Sequence, residues 1–509
     1  MRDWQLHGLP TDTVSTDNAI LVTRGRRWPL MIDPQEQAKR WIKSMQQKAG
    51  LEVTRLTNKS MLRSVGNCIR LGRPLLIEDI GEFLDPALDP VLARAVFNQQ
   101  GRSLIRLGDD NIDYNDDFRL YVSTKLPNPH YLPEVCIKVT VINFTVTMSG
   151  LEDQLLGALV KKERPDVEKK KNNLLVSMAS DKLQLKQLEE KILRMLKDSE
   201  GVVVDNVGLI ETLGESKIVS KTISERLVES EKTNEQITIM REQYRPVATR
   251  GSIIYFVMAD LARIDPMYQF SLSYFQRLYD LCIDEAEKSD DLDTRLRSLK
   301  AYMTLNVYKN VCRGLFEAHK LIFSFLTCIQ ILREQDTVSA AEWSMLLRGA
   351  GMVTNPAVNP MPEGVSENGW NLVAALQEGI PDTFGGLVDH VISAASLSDW
   401  QRWATCNSPQ TEALPKPWKD QLNSMQRMLL LKAFREEKLV FAIQDFVVEH
   451  LGEEFVQSPP VSMRVVHGET RADTPIVFIL SVGADPTGVL YTYAKEVDYM
   501  DRLHLCSLG

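Results

Sequence analysis

Along residues 19–148 the apolar positions switch between two rhythms. "AILV" (19–22) and "PLMI" (29–32) are short apolar runs and predict strands. Residues 36–48 set Ala38, Trp41, Ile42 and Met45 at spacings of three and four, which predicts a helix. "LEVTRL" (51–56) alternates like a strand, and residues 61–71 return to helical spacing, stopped by Gly72 with Pro74 close behind. "PLLIEDIGE" (74–82) is almost continuously apolar before it ends in acids, as buried parallel strands do. "FRLYVSTKL" (118–126) and "KVTVINFTV" (138–146) are rich in β-branched residues and predict two more strands. Strand and helix in alternation imply right-handed βαβ units and a parallel sheet covered on both faces, an α/β domain over residues 1–150.

The rhythm changes near residue 150. From 164 to 198 charges are dense, and Leu174, Met178, Leu185, Leu188, Ile192 and Met195 follow the four–three steps of a heptad, with Asp181 interrupting one seam position. After a break at 198–208, a second charged helix is predicted from about Gly214 to Gln243, with Ile223, Leu227, Ile237 and Tyr244 in similar phase. Two such arms joined by a short break predict an antiparallel coiled-coil hairpin within 151–245, each arm ~30 residues and ~45 Å long. Two ordinary amphipathic surface helices are the plainer alternative.

Residues 246–457 are predicted to be helical, interrupted by Asp265-Pro266 and by a Pro/Asn/Gly loop at 351–365. "SPPVSM" (458–463) is a linker, and "PIVFILSVGADPTGVLYTYAKE" from 475 has the order strand, turn, helix, with "LHLCSLG" (503–509) as a second strand. Residues 458–509 therefore resemble the opening of a second α/β module. Two strands bury no sheet face, so this segment is expected either to borrow a partner or to belong to a longer chain.

Composition narrows the class. The chain of 509 residues is 44% apolar and 25% charged, ordinary for a globular protein, and its net charge of -9 argues against broad nucleic-acid binding. Seven cysteines lie apart without a CxxC pair, which fits reduced thiols rather than a zinc ribbon. "MRDWQLHGLPTDT" has no signal-peptide core, and the longest apolar runs fall far short of the roughly 20 residues of a membrane helix, so a soluble intracellular chain without membrane partners is expected.

"LMIDPQEQAKRW" (30–41) has the strand–turn–helix layout of a phosphate-binding loop without its chemistry. Such a loop needs glycines that let backbone N–H groups close on phosphate, a lysine, and a Ser or Thr for Mg²⁺. Here the turn is Asp33, Pro34, Gln35, Glu36 and Gln37. Proline removes one N–H, two acids stand where phosphate would sit, and Lys39 is followed by Arg40. One carboxylate–phosphate contact at 4 Å costs roughly 4 kcal/mol at an effective dielectric near 20. Glu78 and Asp79 end an apolar strand like a Walker B pair, but in the order Glu-Asp, and equally read as two acids capping a turn. Thr124 and Lys125 stand where a nucleotide sensor would follow the next strand, and a structural turn around them and His130 is the simpler expectation. Gly483 and Gly488 survive in the second loop, but Asp485 and Pro486 occupy it and no Gly-Lys-Ser/Thr appears. Among Arg24, Arg26 and Arg27 the sequence selects no finger for a neighbouring module.

"GLPTDTVSTDNAILVTRGRRWPLMIDPQEQAKRWIK", "PLLIEDIGEFLDP", "STKLPNPHYLPEV" and "GLEDQLLGALVKKERPDVEKKK" resemble the fifth AAA+ module of dynein heavy chains, closer to axonemal than to cytoplasmic ones. "IDPMYQFSLSYF" and "NVCRGLFEAHKLIFSFLTCIQIL" resemble the helical part that follows it, and "DTPIVFILSVGADPTGVL" the start of the sixth module. The resemblance implies an AAA+ large subdomain (1–150), a buttress coiled coil (151–245), a helical small subdomain (246–457) and an incomplete sixth module (458–509), with the rest of the motor lying outside this chain. It further implies a minus-end-directed microtubule motor driving ciliary movement, with ATP and Mg²⁺ at other modules. The implied partners are those modules, the stalk, intermediate and light chains, and microtubules, in the cytoskeleton of the axoneme. Within it, this segment is expected to transmit force with a degenerate nucleotide site. The alternatives are an ATP-hydrolysing module and a truncated coiled-coil interaction protein.

Overall fold

A computed structural model of the chain describes residues 4–5, 7–10, 12–99, 101–197, 207–349, 358–457, 462–470, 476–478, 480, 483, 485–504 and 506. It divides into two compact units, Met1–Ser252 with Ser271–Leu299, and Ile253–Phe270 with Lys300–Gly509.

The first unit is built on strands β1 (Trp28–Ile32), β2 (Glu52–Arg55), β3 (Pro74–Glu78), β7 (Arg119–Thr124) and β8 (Val139–Asn143), all parallel, in the order β2-β3-β7-β1-β8. The alternation of each strand sorts side chains to two faces. Leu30, Leu75, Ile77, Leu120 and Val122 join one core with Val65 and Ile69 of the helix Met61–Leu71. Met31, Leu76 and Tyr121 join the other with Ala38, Trp41 and Ile42 of the helix Gln37–Gln46. Each large side chain so buried is worth roughly 1.5–3 kcal/mol, which is why the α/β pattern was legible in the apolar runs.

In the region of the sheets, two features depart from the sequence reading. Residues 19–22 are helical, not a strand: they belong to α1 (Thr13–Arg24), whose first turn is capped by Asp12 accepting the Ser15 N–H at 2.8 Å. Only Ser15, Ala19 and Val22 are buried, a helical spacing that the contiguous "AILV" concealed. The second is an antiparallel sheet of β4 (Val96–Gln99), β5 (Arg102–Leu107) and β6 (Asp110–Asp113) that the pattern did not predict. β4 is exposed along its length, so it carries no apolar period.

Helices α2 (Gln37–Gln46) and α3 (Met61–Leu71) cover the two faces of the sheet, and α4 (Met148–Glu163) follows it, its N-cap Thr147 accepting the Gly150 N–H. Two long helices come next, α5 (Pro165–Lys197) and α6 (Val207–Glu242). Pro165 opens α5 where a helix has no use for an N–H, and Asp166 and Glu168 favour its positive end. The two helices pack against each other, and the pairs Glu168–Arg241 and Asp181–Arg226 give them opposite directions. Ile223 and Ile237 are buried and Leu174, Met178, Leu185 and Leu188 half-buried, while Asp181 is buried too. The side chains of Ile192 and Met195, and the break at 198–206, lie outside the described residues. Gly214 falls inside α6 rather than at its start. Near the base of α5, Arg295 donates to both oxygens of Glu163, the last residue of α4, at 3.1 and 2.7 Å. It also donates to the carbonyls of Ile283, Ala286 and Glu287, at the end of the helix Leu272–Glu285.

The described part of the second unit is helical. Helices Glu367–Gly379 and Ser424–Phe434 approach so closely that a Cβ on Gly369 would stand 2.1 Å from the Ala433 carbonyl oxygen. Of the strands expected from 475 and at 503–509, the described residues 476–478, 480, 503, 504 and 506 take none. With Val477 78% exposed, that segment has no neighbouring strand among the described residues to complete a ladder. A helix does follow, at Thr487–Glu496.

Candidate functional site

The central strands β1, β3 and β7 are parallel, so the residues that follow them gather at one edge of the sheet, where open α/β sheets place their ligands. Ile32 pairs with Thr124, and the next residue, Asp33, donates its N–H to the Thr124 carbonyl at 2.9 Å. The chain then turns through Pro34, Gln35 and Glu36 into α2. Glu36 holds a left-handed φ of 59°, a conformation sparsely used by residues other than glycine.

Asp33, only 2% exposed, controls this turn. Its Oδ1 accepts the Gln37 N–H and its Oδ2 the Lys39 N–H, both at 2.8 Å. These are two of the donors that the first turn of a helix leaves unpaired. Burial pushes its carboxyl up to about 6 from the usual 3.8, against the pull of the two N–H donors. Glu36 shows the opposite shift. A hydrogen bond from Lys125, reinforced by Lys39, holds it down at about 2.

Around them stands an ion-pair network. Lys39 Nζ lies 3.1 Å from Glu36, 3.5 Å from Glu78 and 3.8 Å from Asp79. Lys43 reaches Glu78 at 2.6 Å, Arg55 reaches Asp79 at 3.2 Å and Glu78 at 3.8 Å, and Lys125 reaches Glu36 at 2.8 Å and Asp79 at 3.8 Å. Glu78 is buried at the end of β3, and Lys39, Lys43 and Arg55 surround it. Thr124 is fully engaged, donating to the Ile80 carbonyl at 2.8 Å and accepting the Leu126 N–H at 3.2 Å.

The two glutamines of the turn reach the next elements. Gln35 Oε1 accepts the Val146 N–H at 3.4 Å, and Gln37 Nε2 donates to Gln154 Oε1 of α4 at 3.1 Å. The cleft beside Gln37, walled by Asp12, Asn18, Phe144 and Gln154, has a volume of about 10 Å³.

Asp33, Pro34, Gln35, Glu36, Gln37, Lys39, Glu78, Asp79, Thr124 and Lys125 are thus brought to one edge. His130 sits apart in a turn where its backbone N–H meets Glu82 at 3.1 Å. Lys43 and Arg55 escaped the sequence reading. Lys43 is one helical turn beyond Lys39, and Arg55 pairs in register with Glu78 across β2 and β3, so both signals required the neighbouring element to be known. Gly483, Asp485, Pro486 and Gly488 belong to the second unit. Gly483 is left-handed at φ 87°, and Asp485 Oδ1 accepts the Thr487 N–H at 2.9 Å where the helix Thr487–Glu496 begins. Among the described residues there is no cluster of His, Cys, Asp or Glu able to hold a metal, and no helix long and apolar enough to cross a membrane.

Residues 2–223 match the family described as the ATP-binding dynein motor region. Over its whole length the chain is 47% identical to dynein axonemal heavy chain 6 of Homo sapiens and 42% identical to dynein axonemal heavy chain 1 of Rattus norvegicus, covering 13% and 11% of those proteins. It is 41% identical to the dynein-1-beta heavy chain of the flagellar inner arm I1 complex of Chlamydomonas reinhardtii, again over its full length and 11% of that protein. The chain therefore spans about an eighth or less of the relatives it matches.

Proposed function

The chain belongs to the dynein heavy-chain family, and from that premise we propose that it is a force-transmitting segment of the motor ring whose own nucleotide site is degenerate. In this reading the parallel-sheet region is the fifth AAA+ module, α5 and α6 are its buttress hairpin, the helices of 246–457 its small subdomain, and residues 458–509 the start of the sixth module. The parent motor draws ATP and Mg²⁺ to other modules. It works with intermediate and light chains on microtubules, walking to their minus ends in the axoneme of a cilium.

One observation carries the reading: the Asp33 carboxylate already occupies the Gln37 and Lys39 N–H groups that a phosphate would require. The other residues fit a magnesium nucleotide no better. Pro34 offers no N–H, no Ser or Thr follows Lys39, and the Lys39 ammonium is shared among three carboxylates. The roughly 10 Å³ beside Gln37 is less than a nucleobase needs, against the several hundred Å³ of common ligand pockets. Where a nucleotide would bridge the sheet to the following helix, Gln35 and Gln37 do so with side-chain hydrogen bonds. The parallel-sheet region then keeps its shape whatever the nucleotide state elsewhere. The antiparallel pair α5 and α6 is the stiff lever it carries, and its charged outer face would dock against a second coiled coil.

Equilibrium titration of the purified chain with labelled ATP at millimolar Mg²⁺ tests the site: no saturable binding is expected, and a micromolar Kd overturns the reading. The lever is tested separately by reversing charges along α5 and α6 in the full motor. Coupling between ATP turnover and microtubule affinity should weaken, and unchanged coupling removes that role. A second reading, in which this segment itself binds and hydrolyses ATP, has in its favour that the matching family is described as ATP-binding, and the same titration separates the two.

A further inference from the structure

The parallel sheet has a second edge, where its strands begin, and cations line it. Pro74 of β3 pairs with Arg119 of β7, so Arg73 stands one residue before that pair. Leu30 of β1 pairs with Val122 of β7, and Trp28 with Val139 of β8. The residue before β1, Arg27, therefore falls level with Arg119 on one side and Lys138 on the other. Arg73, Arg119, Arg27 and Lys138 stand side by side at the starts of four adjacent strands, β3-β7-β1-β8. Neighbouring strands lie about 4.8 Å apart, so the row runs across roughly 14 Å. Register selects Arg27 for this row from among Arg24, Arg26 and Arg27.

The two edges of the sheet differ in how their charges are met. At the Asp33 edge Lys39, Lys43, Arg55 and Lys125 each have a carboxylate at 3.2 Å or less. At the other edge Lys138 has Asp89 at 2.9 Å, whereas Arg27, Arg73 and Arg119 are exposed and pair with no carboxylate among the described residues. Asp116 and Asp117, in the turn before β7, form no ion pair with them. Arg119 donates instead to the Asp116 and Phe118 carbonyls, at 2.9 and 2.8 Å. Near it Arg94 lies over the Trp28 ring, its guanidinium carbon 3.6 Å from the ring centre. Burial and the charge of Arg119 hold Arg94 below the usual guanidinium range. Like charges are thus fixed near one another in a chain whose net charge is -9. An anion laid across them is attracted without first displacing a carboxylate from Arg27, Arg73 or Arg119.

We propose that this row is a docking surface for an acidic helix of a protein partner, whose carboxylates at i, i+4, i+7 and i+11 face the four cations. Acidic side chains three and four residues apart on a helix lie about 5–6 Å from each other, close to the spacing of the strands. Bidentate guanidinium–carboxylate pairs supply direction as well as attraction. Nucleic acid fits less well, because the aromatic rings beneath the row, Trp28 and Phe118, are buried and offer a base no platform. The row lies at the opposite end of the strands from Asp33 and does not rest on the force-transmitting reading.

The probe is a labelled, helix-stapled alanine peptide carrying glutamates at those four positions, and its control has the same composition with the glutamates spread around the helix. Fluorescence anisotropy with the whole chain at low ionic strength should give saturable binding of the patterned peptide with Kd below about 1 mM. That binding should be at least about fivefold tighter than the control's and should weaken as salt is added. Arg27→Glu with Arg73→Glu, at exposed positions, should weaken the patterned peptide at least about tenfold. Arg27→Gln with Arg73→Gln, which removes charge without reversing it, should weaken it by less. Lys288→Glu with Lys419→Glu, the same change in net charge at exposed positions elsewhere, should leave it as it was. No saturable binding, equal binding of the two peptides, or binding that survives reversal of Arg27 and Arg73 would each overturn the proposal. So would tighter binding of an oligothymidylate of equal charge, which would assign the row to nucleic acid.

Discussion

Arg295, 3% exposed, closes on both carboxylate oxygens of Glu163 and spends its remaining donors on three carbonyls at the end of the helix Leu272–Glu285. The planar guanidinium meets all five acceptors at once, which an ammonium cannot do. Arg295→Met, which leaves Glu163 without its cation, should therefore destabilise the first unit by about 3–5 kcal/mol, read from urea unfolding, and Arg295→Lys, which keeps the charge but not the five contacts, by less. The double change Arg295→Met with Glu163→Leu should recover part of that loss, because no charge is left buried alone, but not the part owed to the three carbonyls.

Asp33 predicts a pH dependence of unusual sign. Its carboxyl titrates near 6 in the folded chain and near 3.8 unfolded, so the folded state holds the proton longer. Its contribution to stability is complete below 3.8 and is lost as the pH rises through about 6, a change of about 3 kcal/mol. Asp33→Asn, which has no charge to bury, should flatten stability between those limits while losing one of the two N–H acceptances. Parallel pH profiles of urea midpoints for the two proteins check it.

Asp181 is buried in the seam of the long helices, whereas its partner Arg226 keeps 55% of its side chain in solvent. Asp181→Leu should raise the melting temperature of the helical pair by filling a seam position, at an apolar gain of about 1–2 kcal/mol. It should also loosen register, since a single buried polar pair is what distinguishes one heptad alignment from the next. Cysteine cross-linking of facing positions on α5 and α6 measures this as additional cross-linked pairs in the variant.

His390 Nδ1 lies 3.0 Å from the Trp400 indole nitrogen and 3.2 Å from that of Trp418. Both indoles donate, so Nδ1 is the acceptor and the ring proton sits on Nε2. His390→Leu strands two buried N–H groups and should cost about 2–4 kcal/mol, while His390→Asn, whose amide oxygen can take the place of Nδ1, should cost less than half as much. Thermal unfolding of the two variants distinguishes an acceptor role from simple packing.

Gly369→Ala places a methyl against the Ala433 carbonyl oxygen, an approach of 2.1 Å that backbone cannot yield without parting the helices. A loss of about 2 kcal/mol or more in the second unit is expected, and a neutral result by thermal unfolding would show that the helices separate freely.

The parallel sheet is legible in the apolar runs, because β1, β3 and β7 are buried on both faces and only near-continuous apolar stretches survive there. The residue types of the 33–39 turn, with Pro34 in the loop and Arg40 rather than Ser or Thr after Lys39, are likewise read at adjacent positions. What the sequence could not supply were relations between residues distant in the chain. The apolar run at 19–22 looks like a strand until Asp12 is seen capping a helix over it. The exposed β4–β6 sheet has no apolar period to betray it. Chain packing is what sets Asp33 on the helix amides and brings Lys43 and Arg55 to Glu78. Periodicity records which way a side chain faces. The groups it meets are set by strand order and helix packing, which join positions tens of residues apart.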